Sequence, residues 1–141
     1  MISLTKILSE VNWKAVDDES VTKYKEKELK SSKVLKKMSK DGYTYYLTDY
    51  GTDFDDIFLG QIYVFSDDGQ FVAENGIAKW NGESDEYMEA LVSVHPDHRR
   101  KRIATNMYNM AERYFKKKFK PAPSKTSDAE KFWKNRNKKI R

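Results

Sequence analysis

An α+β fold, a mixed but mostly antiparallel sheet flanked by helices, is predicted by three observations. Residues 57–65, 71–80 and 87–94 form apolar or alternating runs of strand length, separated by Asp67-Asp68-Gly69 and Asn81-Gly82; such turn signals between alternating runs mark hairpins. Residues 100–118 instead carry Ile103, Met107, Met110, Ala111, Tyr114 and Phe115 at helical spacing. Before the strands, Ile2, Leu4, Ile7, Leu8, Val11 and Trp13 suggest a short amphipathic helix over residues 2–13. Helices grouped on either side of a run of strands are the α+β signature.

The individual elements follow in order. Residues 19–39 are ambiguous: Val21, Tyr24, Leu29, Val34, Leu35 and Met38 mark one or two short helices, with a strand near Tyr24 as the alternative. The tyrosine- and threonine-rich stretch 42–47 opens an antiparallel meander of three or four strands. Tyr45 and Tyr46 face opposite ways on a strand, so these tyrosines, with Tyr43, are read as packing residues and not as a base-stacking platform. His95-Pro96-Asp97-His98 ends the last strand, because proline removes a ladder donor. After the helix, Pro121 and Pro123 make residues 119–124 extended or looped. A last helix is signalled by Thr126 or Ser127 as N-cap, Asp128 and Glu130 in its first turn, and Phe132-Trp133 as its apolar face.

Composition bounds the function. The 141 residues suffice for one core, so the chain is read as a single domain over 1–141 with a basic tail at 134–141. With no cysteine, disulfides, thiolate nucleophiles and cysteine zinc sites are excluded. No apolar run reaches bilayer length and no secretory leader is evident, which predicts an intracellular, cytoplasmic protein without a membrane partner. Two histidines flanking Asp97 lack a clear third ligand, so no metal is expected. Trp13, Trp80 and Trp133 are read as core or rim packing.

The net charge of +5 is unevenly spread. Residues 41–91 are acidic on balance, whereas residues 99–141 are strongly basic, with clusters at 99–102, 116–118 and 138–139. Such positive blocks attract polyanions. The run 116–118 is read as a solvated lysine-rich helix face. Residues 99–102 differ, because they sit where a strand turns into a helix. A helix start exposes unpaired N–H groups and the positive dipole end, and Arg99, Arg100, Lys101 and Arg102 add charge able to meet a pyrophosphate.

The segment 92–108 resembles the acetyl-CoA signature of the GNAT superfamily, a strand ending in Val-x-Pro followed by [Arg/Gln]-x-x-Gly-x-[Gly/Ala]. Val94, Pro96, Arg99, Ile103 and Ala104 match in place and spacing, and Arg102 stands at the glycine position. The resemblance extends over roughly residues 57–136 and leaves residues 1–40 as a variable acceptor-side region. The compact size, Pro123-Ser124 turn and Phe132-Trp133 helix are also similar to GNAT-like proteins encoded by bacteriophages.

The resemblance implies an acetyl-CoA-dependent N-acetyltransferase in which a primary amine, on a small molecule or a protein, attacks the thioester directly. It implies that the backbone of Val92 and Val94 bonds the pantetheine arm, and that Arg99, Arg100, Lys101, Arg102, Ile103 and Ala104 hold the pyrophosphate. Aligning the family's Asn-x-x-Ala-x-x-x-Tyr on Ala129 puts Thr126 at the asparagine, near the cofactor, and Trp133 at the tyrosine that serves as general acid. Indole cannot donate that proton, so Ser124 is taken as the acid, with Tyr108 as the other candidate. Glu89, on the strand before the loop, is the candidate base; a solvent-facing glutamate is the rival reading. Arg102 and Trp133 also motivate a catalytically weak CoA-binding or interaction protein. A basic nucleic-acid-binding module ranks third, since the basic C-terminal part shows neither aromatic interleaving nor a recognised motif. The expected assembly is a monomer or homodimer.

Overall fold

The computed structural model describes Trp13 and residues 17–52, 57–80 and 87–119. The expected helix 2–13 and the last helix with Thr126, Ser127 and Trp133 lie outside these, Trp13 excepted. Helix α1 spans Asp18–Lys30. The Asp17 carboxylate accepts from the Ser20 N–H at 2.9 Å, Asp18 and Glu19 fill the first turn, and Lys27 and Lys30 the last. Capping and dipole complementarity thus favour this helix from both ends.

The six-stranded sheet runs β1-β2-β3-β4-β5-β6 in chain order. Strands β1 (Lys33–Lys40), β2 (Tyr43–Thr52), β3 (Ile57–Ser66), β4 (Phe71–Trp80) and β5 (Tyr87–Val94) pair antiparallel. The short β6 (Lys118–Phe119) joins β5 in parallel. The antiparallel part is therefore longer than the meander of three or four strands expected. Its extra member is β1, where Val34, Leu35 and Met38 had suggested a helix. Asp41 and Gly42, both at positive φ, close a two-residue hairpin from β1 into β2; that turn commits residues 33–40 to pairing and overrides their helix-like spacing. The Asp67-Asp68-Gly69 turn joins β3 to β4 as expected, with Gly69 at φ 90°.

Helix α2 (Ile103–Phe115) packs Ile103, Met107, Met110 and Ala111 onto Tyr45, Leu47, Ile62, Val64 and Ile77. Each such side chain contributes about 1.5–3 kcal/mol when fully buried. The opposite sheet face packs Tyr63, Phe65 and Phe71 with Val21 of α1 and with Trp13. Tyr45 and Tyr46 do face opposite ways, Tyr45 into the first cluster and Tyr46 against the second. Among the described residues, no helix is long and apolar enough to cross a membrane.

Candidate active site

The site is built where β5 leaves the sheet. The His95 N–H donates to the Val72 carbonyl at 2.8 Å, and β4–β5 pairing continues without a bulge from Ala73↔Val94 to Lys79↔Met88. Antiparallel ladders alternate, so residues 95, 93, 91 and 89 spend their backbone groups on β4. The N–H and C=O groups of Val92 and Val94 therefore point to the other edge. There β6 pairs only with Tyr87 and Met88. From Glu89 to Val94 that edge has no strand partner among the described residues. The outward-facing backbone groups of Val92 and Val94 lie on this edge.

Beyond Val94 the chain is fastened from several directions. The Asp97 N–H donates to His95 Nδ1 at 3.1 Å, so the proton sits on Nε2, which donates to Asp18 Oδ1 of α1 at 2.9 Å. His98 Nδ1 shares a hydrogen bond with the Tyr43 hydroxyl at 2.8 Å and meets the His95 ring edge-on. Burial, followed by His95 and Lys101, holds the His98 pKa below its usual value. Arg99 Nε donates to the Val94 carbonyl at 3.2 Å. This leaves the Val94 N–H and both Val92 groups to an added strand. Both histidines are thus fixtures of the 3₁₀ turn Pro96–His98.

Residues 99–102 are exposed. Arg100 and Arg102 both have φ 63°. Arg102, at the family's glycine position, takes the left-handed conformation that glycine itself favours, at ψ 18°, and serves as N-cap of α2 without a side-chain capping bond. No acidic residue stands in the first turn of α2. The N–H groups of Ile103, Ala104 and Thr105 consequently have no intrahelical acceptor, while Asn106 N–H closes the first turn on the Arg102 carbonyl at 2.9 Å. An anion meets backbone donors, a helix dipole and four cationic side chains here.

The acetyltransferase (GNAT) family model matches residues 31–126, more than half of the chain, and spans this strand, turn and helix. The chain belongs to the GNAT acetyltransferase family. No curated protein and no solved structure matches it.

The residues to which the resemblance assigned the cofactor, Val92, Val94, Arg99, Arg100, Lys101, Arg102, Ile103 and Ala104, lie in one continuous segment from the end of β5 to the start of α2. Glu89 lies on β5 opposite Ala78. Ser124 and Thr126 lie outside the described residues. Tyr108, the other candidate acid, is buried in the α2 core, edge-on to Phe119 at 4.7 Å.

Sequence reasoning missed a polar cluster on the other face of the sheet. Lys25 Nζ lies 2.6 Å from Glu74 Oε2 and 3.4 Å from Glu28 Oε2. Gln61 Nε2 donates to Glu74 at 2.9 Å, and the Tyr63 hydroxyl to Glu28 at 3.1 Å. Burial raises the Glu74 pKa, partly offset by Lys25. Burial also disfavours the Lys25 ammonium, but Glu74 and Glu28 outweigh it and hold the Lys25 pKa above its usual value. The signal was the Glu74-Asn75 pair, two polar residues inside the apolar run of β4. Asn75 is fully buried on the α2 face, opposite Val92, and its amide has no hydrogen-bond partner among the described residues.

Proposed function

We propose that this GNAT protein moves the acetyl group of acetyl-CoA onto a primary amine of a small molecule or a protein. The observation that carries the reading is the edge of β5 at Val92 and Val94, without a strand partner among the described residues, running directly into a cationic turn and a helix start without a side-chain cap. Acetyl-CoA is a long substrate with amides in its arm and a pyrophosphate behind them. Its arm adds to β5 as a further strand, and its pyrophosphate meets residues 99–104. That anchoring holds the thioester beside β5, where a bound amine is positioned to react.

In the reaction the ammonium first loses a proton to Glu89, through water, because only the free amine is nucleophilic. The amine nitrogen then attacks the thioester carbonyl carbon. A C–N bond forms, the C–S bond breaks, and its electron pair leaves on sulfur. The nitrogen sheds its second proton and the thiolate takes one up, from Ser124 or water, giving the amide and the CoA thiol.

The test is release of CoA thiol with a panel of primary amines and lysine peptides. Glu89→Gln is expected to lower kcat by about 10²–10⁴-fold, the usual worth of general base catalysis, without weakening acetyl-CoA binding. Full turnover in Glu89→Gln removes Glu89 from the reaction, and no thiol release with any amine contradicts the transferase reading.

A further inference from the structure

The turn between β5 and α2 carries four permanent cations, Arg99, Arg100, Lys101 and Arg102. Immediately before them stands His98, a side chain whose charge changes near neutral pH. Its ring is partly buried, and the Tyr43 hydroxyl lies 2.8 Å from its Nδ1. The ionisable groups that face it are Tyr43 from β2, Asp68 from the β3–β4 turn, and His95, Asp97 and Lys101 from its own turn. Asp18 of α1 stands one step further back, on the Nε2 of His95, and Arg99 turns its Nε to the Val94 carbonyl.

The two histidines differ in what a further proton does to them. His95 Nδ1 accepts from the Asp97 N–H while its Nε2 donates to Asp18, so a second ring proton breaks a bond that shapes the turn. His98 takes up a proton without such a loss. A hydroxyl both donates and accepts, so Tyr43 donates to the neutral imidazole and, after rotating, accepts from the imidazolium. In the free protein, burial and then His95 and Lys101 disfavour that charge, against Asp97 and Asp68. Lys101 is three residues away, at most ~11 Å along the chain. An anion paired with the cations of this turn cancels the repulsion from Lys101 and adds an attraction of its own for the imidazolium.

We propose that His98 is a fifth, conditional cation of this turn, one that takes up a proton as the pyrophosphate of acetyl-CoA binds. The inference rests on the acetyl-CoA reading above and adds to it an affinity that is linked to pH. The sign follows from the proton count. The bound state holds more protons than the free state, so affinity rises as pH falls through the range in which His98 titrates. Above that range His98 is neutral in both states and below it charged in both, so affinity levels off on either side. The four fixed cations give no such dependence, because lysine and arginine stay charged throughout.

The test uses the full chain and CoA. The sequence holds two histidines, so NMR follows two ring signals, and that of His98 is the one in contact with the Tyr43 ring. With saturating CoA, His98 is expected to titrate about 0.5–1 pH unit higher than in the free protein, the size of a solvent-screened charge interaction over this range. Calorimetry in buffers of different ionisation enthalpy is expected to show the native chain taking up about 0.3–0.5 proton more than His98→Gln near pH 6. From pH 7.5 to 5.5 the native affinity is expected to rise about two- to fivefold more than that of the variant. The 3′-phosphate of CoA titrates near pH 6 as well, but in both proteins alike, so the difference isolates His98. The NMR titration needs no variant and decides the matter even where His98→Gln does not fold. CoA binding with the His98 titration unmoved or lowered overturns this proposal and leaves the acetyl-CoA reading standing, as does equal proton uptake by the native chain and His98→Gln. Absence of CoA binding at every pH overturns both.

Discussion

Lys25 Nζ lies 2.6 Å from Glu74 Oε2 and ties α1 to the middle of the sheet. Both groups are nearly out of reach of solvent, at 11% and 5% side-chain exposure. Removing one partner strands a buried charge, so Lys25→Met is expected to cost about 3–5 kcal/mol in urea denaturation. The double variant Lys25→Met/Glu74→Leu, which strands neither, is expected to recover most of that loss. A double variant less stable than Lys25→Met would show that the pair is worth more than its desolvation.

Arg102 is expected to be a strained position rather than an adapted one. Its left-handed backbone costs an L-residue about 1–2 kcal/mol. Arg102→Gly removes that cost but adds freedom to the unfolded chain, for a net gain of about 0.5–1 kcal/mol. Arg102→Val, β-branched in the same conformation, is expected to lose at least about 1 kcal/mol. Thermal melts of the two variants check the sign of each effect.

The His98 pKa is lowered by burial, then by His95 and Lys101, with Asp97 and Asp68 opposing. The folded state therefore takes up the His98 proton at lower pH than the unfolded chain does. Its stabilising effect is full above the unfolded value near 6.5, is lost as pH falls below it, and levels off once pH drops beneath the lowered folded value. Melting temperature is expected to fall from pH 7 to pH 5 more steeply in the native chain than in His98→Gln. Parallel curves would remove His98 as a contributor.

Asn75 is fully buried, and neither amide atom has a hydrogen-bond partner among the described residues. An apolar residue of similar size escapes the desolvation penalty of about 1–3 kcal/mol, so Asn75→Leu is expected to be neutral or stabilising. A clear loss of stability in chemical denaturation would mean that the amide is paired in solution, for instance by a buried water.

How far the fold could be read from sequence depends on how local each cause was. Strands β3, β4 and β5 were legible because their apolar runs end at turn residues. Helix α2 was legible because Ile103, Met107 and Met110 share one face. Strand β1 was not, because it is an edge strand with a bulge between Val34 and Lys36, which blurs the alternation that marks a strand. The turn after β5 was legible from the family motif, yet the left-handed Arg102 was not, since arginine carries no signal for positive φ. The Lys25–Glu74 pair was invisible for a different reason: its partners are brought together only when α1 packs on the sheet.

The central claim is that the open edge of β5 and the turn after it hold acetyl-CoA. Isothermal titration calorimetry of the native chain and of Arg99→Ala/Arg100→Ala, with acetyl-CoA and with CoA, tests it most directly. The account predicts saturable binding of both ligands by the native chain, weakened at least about tenfold in the variant by the loss of charged contacts to the pyrophosphate. Absence of binding by the native chain at concentrations up to about 1 mM, the limit of a meaningful affinity, or undiminished binding by the variant, would contradict it.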